Sequence, residues 1–71
     1  MHDIWQDLAN AIIIQAAKDY RRALHTLKKY PSHGKAQRVK TEVEQFFRSD
    51  WYADLSRVDG EVLLRRLNAE V

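Results

Sequence analysis

Apolar residues recur at intervals of three and four along the first third of the chain. The series is Ala9, Ile13, Ala16, Ala17, Tyr20, Ala23, Leu24 and Leu27. This spacing places all of these side chains on one side of a single α-helix. Asp3 is a predicted N-cap, and Gln6 can complete a capping box with it. Because Pro31 disfavours helical geometry at Tyr30, the first helix is expected to end near Lys29.

A second apolar series follows the turn at residues 30–34. The series is Ala36, Val39, Val43, Phe46 and Phe47. It predicts a second helix from Ser32 or Lys35 to Arg48. Because the preceding turn is short, we expect this helix to run antiparallel to the first.

The last third of the chain predicts two short helices. Ser49 is a candidate N-cap for a third helix, from Asp50 to about Arg57. Asp59 is a candidate N-cap for a fourth helix, over residues 60 to about 69. No stretch alternates between apolar and polar residues as a strand would. The predicted fold is therefore all-α: one helical domain over residues 1–71, with a long amino-terminal helix, an antiparallel second helix and two short carboxy-terminal helices.

One core is expected to join these helices. Its predicted members are Ile13, Tyr20, Leu24, Val39, Val43, Phe46 and Leu67, which occupy the inward phase of their helices. Phe46 belongs to the densest aromatic stretch of the chain. We assign the other aromatic residues of this stretch to the core as well: Phe47, Trp51 and Tyr52.

Three consecutive isoleucines depart from simple amphipathicity. Ile12, Ile13 and Ile14 cover roughly 200° of the helix circumference, at about 100° per residue, so one face cannot bury them all. Ile4 and Leu8 also lie off the main apolar stripe. Two alternatives are open. Either the third and fourth helices wrap this half of the first helix, or the half forms an interface with a second copy, with Ile12 and Ile14 as self-association residues.

Positive charge is concentrated in the middle of the chain, although the net charge is only +2. A basic stripe, made of Lys18, Arg21, Arg22, Lys28 and Lys29, projects from the outward side of the first helix. Such a stripe can follow a nucleic-acid backbone. The alternative is that these cations solvate the helix and oppose the negative end of its dipole.

Groups for catalysis or metal binding are sparse. The chain has no cysteine, and His2, His25 and His33 lack the spacing of a metal site. Asp50 and Asp59 lie at helix starts, where acids cap the backbone. We therefore expect a protein that is not an enzyme, with no metal, cofactor or catalytic residue.

The apolar segments are short. The longest apolar run, Ala11 to Ile14, is far below the length of a membrane span. The chain opens with Met1, His2 and Asp3 in place of a basic segment followed by a long apolar stretch. The expected location is the cytoplasm, without membrane contact.

Three segments carry a resemblance to a known family. They read AIIIQAAKDYRRAL at residues 11–24, FFRSDWY at residues 46–52 and VDGE at residues 58–61. In these segments the chain resembles a family of short helical proteins found in prophages and integrative elements of Gram-positive bacteria. The resemblance implies a small intracellular accessory protein of a mobile element, and it brings no activity or ligand.

Two functions remain as hypotheses. The leading one is a small helical interaction protein that acts through its surfaces on an unknown protein partner, with a homodimer as one form. The alternative is a nucleic-acid-binding accessory protein that uses the basic stripe.

Overall fold

The computed structural model describes residues 3–71 of the chain. Within them it contains four helices and no strand: α1 (Ile4–Lys29), α2 (Gly34–Phe47), α3 (Asp50–Leu55) and α4 (Gly60–Ala69). The predicted all-α architecture is confirmed, including a long first helix packed against the second. The third helix ends two residues earlier than expected, because Ser56 adopts an extended conformation with φ −149° and ψ 147°.

Side-chain caps fix the starts of the helices. The Asp3 carboxylate accepts hydrogen bonds from the backbone N–H of Trp5 at 3.0 Å and of Gln6 at 3.4 Å. Ser49 and Asp59 cap α3 and α4 as predicted. The predicted contact of the Gln6 side chain back to Asp3, which would complete the capping box, is wrong. The Gln6 amide instead donates to the Asn10 side chain one turn later, at 2.9 Å, as an ordinary i,i+4 pair.

A histidine caps α2, which the sequence interpretation missed. Nδ1 of His33 accepts a hydrogen bond from the backbone N–H of Ala36 at 3.1 Å. The helix therefore begins at Gly34, between the two predicted starts. An imidazole nitrogen is an uncommon cap compared with Ser, Thr, Asn or Asp, so residue preference alone does not point to it.

The core lies where α1, α2 and α4 meet, with α3 closing one end. Its buried members are Tyr20, Leu24, Val43, Phe47, Tyr52, Leu64 and Leu67. Ile13, Val39 and Phe46 pack against this cluster but are only partly buried. Both adjacent phenylalanines are predicted core residues, and the structure buries Phe47 while it leaves Phe46 only partly buried.

Gly60 explains why α4 covers the Phe47 side. A Cβ atom at Gly60 would overlap the backbone carbonyl of Phe47, so the start of α4 packs directly on the end of α2. An ion pair between Arg48 and Glu61 ties the same junction together at the surface. The close approach turns α4 over Phe47 and leaves Phe46 at the edge.

A polar node links three helices beside this core. The hydroxyl of fully buried Tyr20 donates to Oε2 of Glu44 at 2.8 Å and accepts from Nδ2 of Asn68 at 3.0 Å. Nζ of Lys40 donates to the same Glu44 oxygen at 2.9 Å. Burial and the hydrogen bond to Glu44 raise the pKa of Tyr20. The node therefore holds a neutral phenol and satisfies its hydroxyl in both directions.

The other core tyrosine differs. The Tyr52 hydroxyl is buried and has no hydrogen-bond partner within the described residues. Its ring packs edge-on against Phe46 and Phe47, with centroids 5.8 and 5.2 Å away. Tyr52 therefore contributes through its ring, and its hydroxyl bears a desolvation cost.

Among residues 3–71, no helix combines the length and the apolar character needed to cross a membrane. Met1 and His2, which entered the expectations about targeting and metal spacing, lie outside the described residues.

Candidate interaction surfaces

The three consecutive isoleucines have three different environments. Ile13 packs against the core, as its phase predicts. Ile12 is partly buried and lines a groove with Phe46 and Trp51. Ile14 is half exposed and lines a separate groove with Leu63 and Leu67. The two candidate self-association residues therefore line different grooves on opposite sides of α1.

An exposed apolar surface begins at the amino-terminal end of α1. Helix α2 has 14 residues against 26 in α1, so it cannot run beside the whole of its antiparallel neighbour. Every residue from Asp3 to Leu8 is exposed, and Ala9 is the first buried one. Ile4, Trp5 and Leu8 are 77%, 79% and 51% exposed.

Trp51 of α3 extends this surface. It is 57% exposed and touches Phe46 edge-on, with ring centroids 5.4 Å apart. Its assignment to the core is therefore wrong: within the short α3, Tyr52 faces inward and the neighbouring Trp51 projects away. We call the set Ile4, Trp5, Leu8, Ile12 and Trp51 the amino-terminal apolar face.

The sequence contained part of the signal for this face. Ile4 and Leu8 stand off the main stripe in the helical pattern, and Ile12 follows Leu8 by one turn. Trp5 has no such mark. Trp5 is exposed because α1 is longer than α2 and extends beyond it. The sequence marks this difference only through Pro31, which follows the end of α1, and Ser49, which follows the end of α2.

The seam between α1 and α2 changes character along its length. Near Trp51 it is an apolar groove of about 470 Å³. Asp19 and Glu42 line its middle part. Beyond them, Arg22 and Lys35 border the seam towards the α1–α2 turn. A partner lying along the whole seam would therefore meet apolar, acidic and basic groups in turn.

All five residues of the basic stripe are exposed on α1. Arg21 is held in an ion pair with Glu70, just beyond α4, with Nε 2.7 Å from Oε2 and a second hydrogen bond of 3.3 Å. The other four, Lys18, Arg22, Lys28 and Lys29, make no ion pair within residues 3–71. Lys28 and Lys29 lie in the last turn of α1, where cations oppose the helix dipole.

No cluster of three or more His, Asp or Glu side chains in residues 3–71 is arranged to hold a metal ion. Comparison of the chain with protein-family models, curated proteins and solved structures found no match. The resemblance to proteins of prophages and integrative elements therefore stays a hypothesis, and the surfaces themselves are the guide to function.

Proposed function

We propose that this chain is a small helical interaction protein that binds a protein partner through the amino-terminal apolar face. The observation that supports the proposal is the exposure of Trp5 together with Ile4 and Leu8, and of Trp51 beside Ile12. Scattered apolar residues are ordinary on a protein surface, but a cluster of large ones is typical of an interaction site.

Tryptophan is the side chain that contributes most when such a face is covered. Truncating a central interface tryptophan commonly costs about 2 kcal/mol or more of binding free energy. Trp5 and Trp51 each present a large apolar ring that loses its water on binding. The binding role requires no catalytic group, and we propose that the protein is not an enzyme.

The test is a capture experiment from the source cell that records bound protein and bound nucleic acid together. We expect the wild-type chain to retain a protein that Leu8→Glu does not, because a carboxylate in the covered face would be desolvated. The control is Tyr30→Glu, which alters an aromatic residue at the α1–α2 turn that is 64% exposed, against 51% for Leu8. Equal capture by Leu8→Glu and wild type would end the proposal.

The cellular context is part of the same proposal. The resemblance in residues 11–24, 46–52 and 58–61 supports a cytoplasmic accessory protein of a mobile element. A family resemblance links a chain to a cellular context without a physical argument. The exposed apolar face supports binding independently of that resemblance.

Nucleic-acid binding is the second candidate. It is favoured by Lys18, Arg22, Lys28 and Lys29, which project from α1 without intramolecular ion pairs in the described part of the chain. It is weakened by Arg21, whose charge Glu70 already neutralises. The basic stripe lies mainly on the carboxy-terminal half of α1, so variants can separate this function from binding at the amino-terminal apolar face.

A further inference from the structure

We propose that the partner at the amino-terminal apolar face is a second copy of this chain, related by a two-fold axis that passes beside Leu8. The inference rests on the proposed function and identifies its partner. In the resulting dimer the amino-terminal parts of the two α1 helices pack antiparallel.

The stripe on α1 is symmetric about Leu8. Ile4 and Ile12 lie four residues before and after it, so the three side chains form one line about 12 Å long at 1.5 Å per residue. A two-fold interface requires a patch that is complementary to itself. Reversing this line about Leu8 places Ile4 of one protomer opposite Ile12 of the other, and Trp51 then extends each end.

The exposed area is sufficient for a small specific dimer. A fully exposed aromatic side chain presents about 150–250 Å², so the face offers on the order of 500–600 Å² with Ile4 and Leu8 included. Covered on both copies, this is about 1,000–1,200 Å² in total, the lower bound for a specific interface. A weak dimer is therefore expected, with dissociation in the micromolar range or above.

Charge argues against two other positions of the two-fold axis on α1. An axis at the middle of the α1–α2 seam would bring Asp19 and Glu42 against their own copies. An axis at the basic stripe would oppose Arg22 and Lys29 to theirs, and like charges disfavour such contacts. The nearest acidic residue to Leu8 in the sequence is Asp7, which lies about 100° away around the helix. Asp7 therefore lies beside the line of Ile4, Leu8 and Ile12 and not within it.

Sedimentation equilibrium over micromolar to millimolar concentration tests the dimer. We expect the wild type to associate, and Leu8→Glu to weaken association at least about tenfold because each dimer contains the substitution twice at its centre. The control is Ile14→Glu, since Ile14 is as exposed as Leu8, at 53%, but lies on the other groove. Loss of the dimer in Ile14→Glu but not in Leu8→Glu would overturn the assignment.

Cross-linking locates the axis. The chain has no cysteine, so each single-cysteine variant carries one thiol. A residue beside a two-fold axis meets its own copy, and we expect Leu8→Cys to form a disulfide-linked dimer on mild oxidation much faster than Ile14→Cys. Circular dichroism confirms that each variant is folded. Equal rates for the two thiols would overturn the proposed axis.

The two proposals fail differently. A wild-type chain that stays monomeric at millimolar concentration overturns the dimer. If Leu8→Glu nevertheless abolishes capture of another protein, the amino-terminal apolar face is still a binding site and only its occupant was wrong.

Discussion

The Tyr20 hydroxyl donates a 2.8 Å hydrogen bond to the Glu44 carboxylate across the α1–α2 packing. Asn68 of α4 completes the contact by donating to the same hydroxyl at 3.0 Å. One phenol therefore links α1, α2 and α4. Its directional hydrogen bonds fix the relative positions of these helices more narrowly than hydrophobic contacts alone. Because Glu44 also accepts from Lys40, its negative charge is compensated next to the core.

Acid should weaken this node. Partial burial of Glu44 raises its pKa, but hydrogen bonds from Lys40 and Tyr20 and the charges of Lys40 and Arg48 outweigh that effect and lower the pKa below its ordinary value of 4.5. The ionised carboxylate therefore stabilises the fold at neutral pH, and the contribution is lost as pH falls from the ordinary value through the lowered one.

Chemical denaturation at pH 7 and at pH 3 measures this loss. We expect the free energy of unfolding to fall less between these pH values in Glu44→Gln than in the wild type. Glu42→Gln is the control, because Glu42 is an exposed residue of the same helix that makes no hydrogen bond or ion pair within residues 3–71. An unchanged pH dependence in Glu44→Gln would contradict the role of the node.

The two buried tyrosines should respond oppositely to loss of their hydroxyls. Tyr20→Phe leaves Glu44 and Asn68 without this partner and should cost about 1–3 kcal/mol. Tyr52→Phe removes an unpaired buried hydroxyl and should be neutral or stabilising by up to about 1 kcal/mol. Thermal or urea denaturation of the two variants measures both changes in the free energy of unfolding. A larger loss of stability in Tyr52→Phe than in Tyr20→Phe would show that the Tyr52 hydroxyl has a partner.

The two glycines should also respond oppositely when each is replaced by alanine. Gly60→Ala places a methyl group on the Phe47 carbonyl and should cost about 1–3 kcal/mol, since α4 has to move. A methyl group at Gly34 would meet no neighbour within 4 Å, so Gly34→Ala should stabilise α2 by about 0.5 kcal/mol. Both changes are read from denaturant midpoints. Equal effects would mean that the start of α4 does not pack directly on the Phe47 carbonyl.

Substitution of the adjacent phenylalanines tests the core. Phe47→Ala should cost about 3–5 kcal/mol, a large part of the stability of a small domain. Phe46→Ala should cost clearly less, because Phe46 is only partly buried. Melting temperatures of the two variants give the order directly, and the reverse order would contradict the central position of Phe47 in the core.

Nucleic-acid binding has its own test. If the basic stripe contacts phosphates, Arg22→Glu and Lys29→Glu should weaken binding of random duplex or single-stranded probes while the melting temperature stays nearly constant. Arg21→Glu is unsuitable, because it also breaks the pair with Glu70. Fluorescence polarisation at low salt detects even non-specific electrostatic binding. A flat titration there would end this candidate.

Local sequence signals predicted most of the fold. Pro31 ended α1, and Asp3, Ser49 and Asp59 capped their helices as expected, because each acts on its immediate neighbours. Periodicity also identified the inward side of α1, including Tyr20. These effects need no knowledge of which helix lies opposite.

The errors have the opposite character. The exposure of Trp51 and the incomplete burial of Phe46 both depend on where α3 and α4 pack. Helical phase assigns a side chain to a side of its own helix and cannot say which neighbour covers it. The close contact at Gly60, which places the start of α4 against Phe47, joins residues of two different helices.

The shortness of α2 has a thermodynamic consequence for the uncovered start of α1. Helices of fewer than about 12 residues are marginal without tertiary packing, so the turns from Ile4 to Leu8 depend on the Asp3 cap, the Gln6–Asn10 pair and continuity with the covered part of α1. If the amino-terminal apolar face binds its partner as proposed, the partner binds the helical form, and a chain that is unwound there has to regain its helix first. Binding strength would then be coupled to the local helix–coil equilibrium, and the Asp3 cap would tune the affinity through that equilibrium.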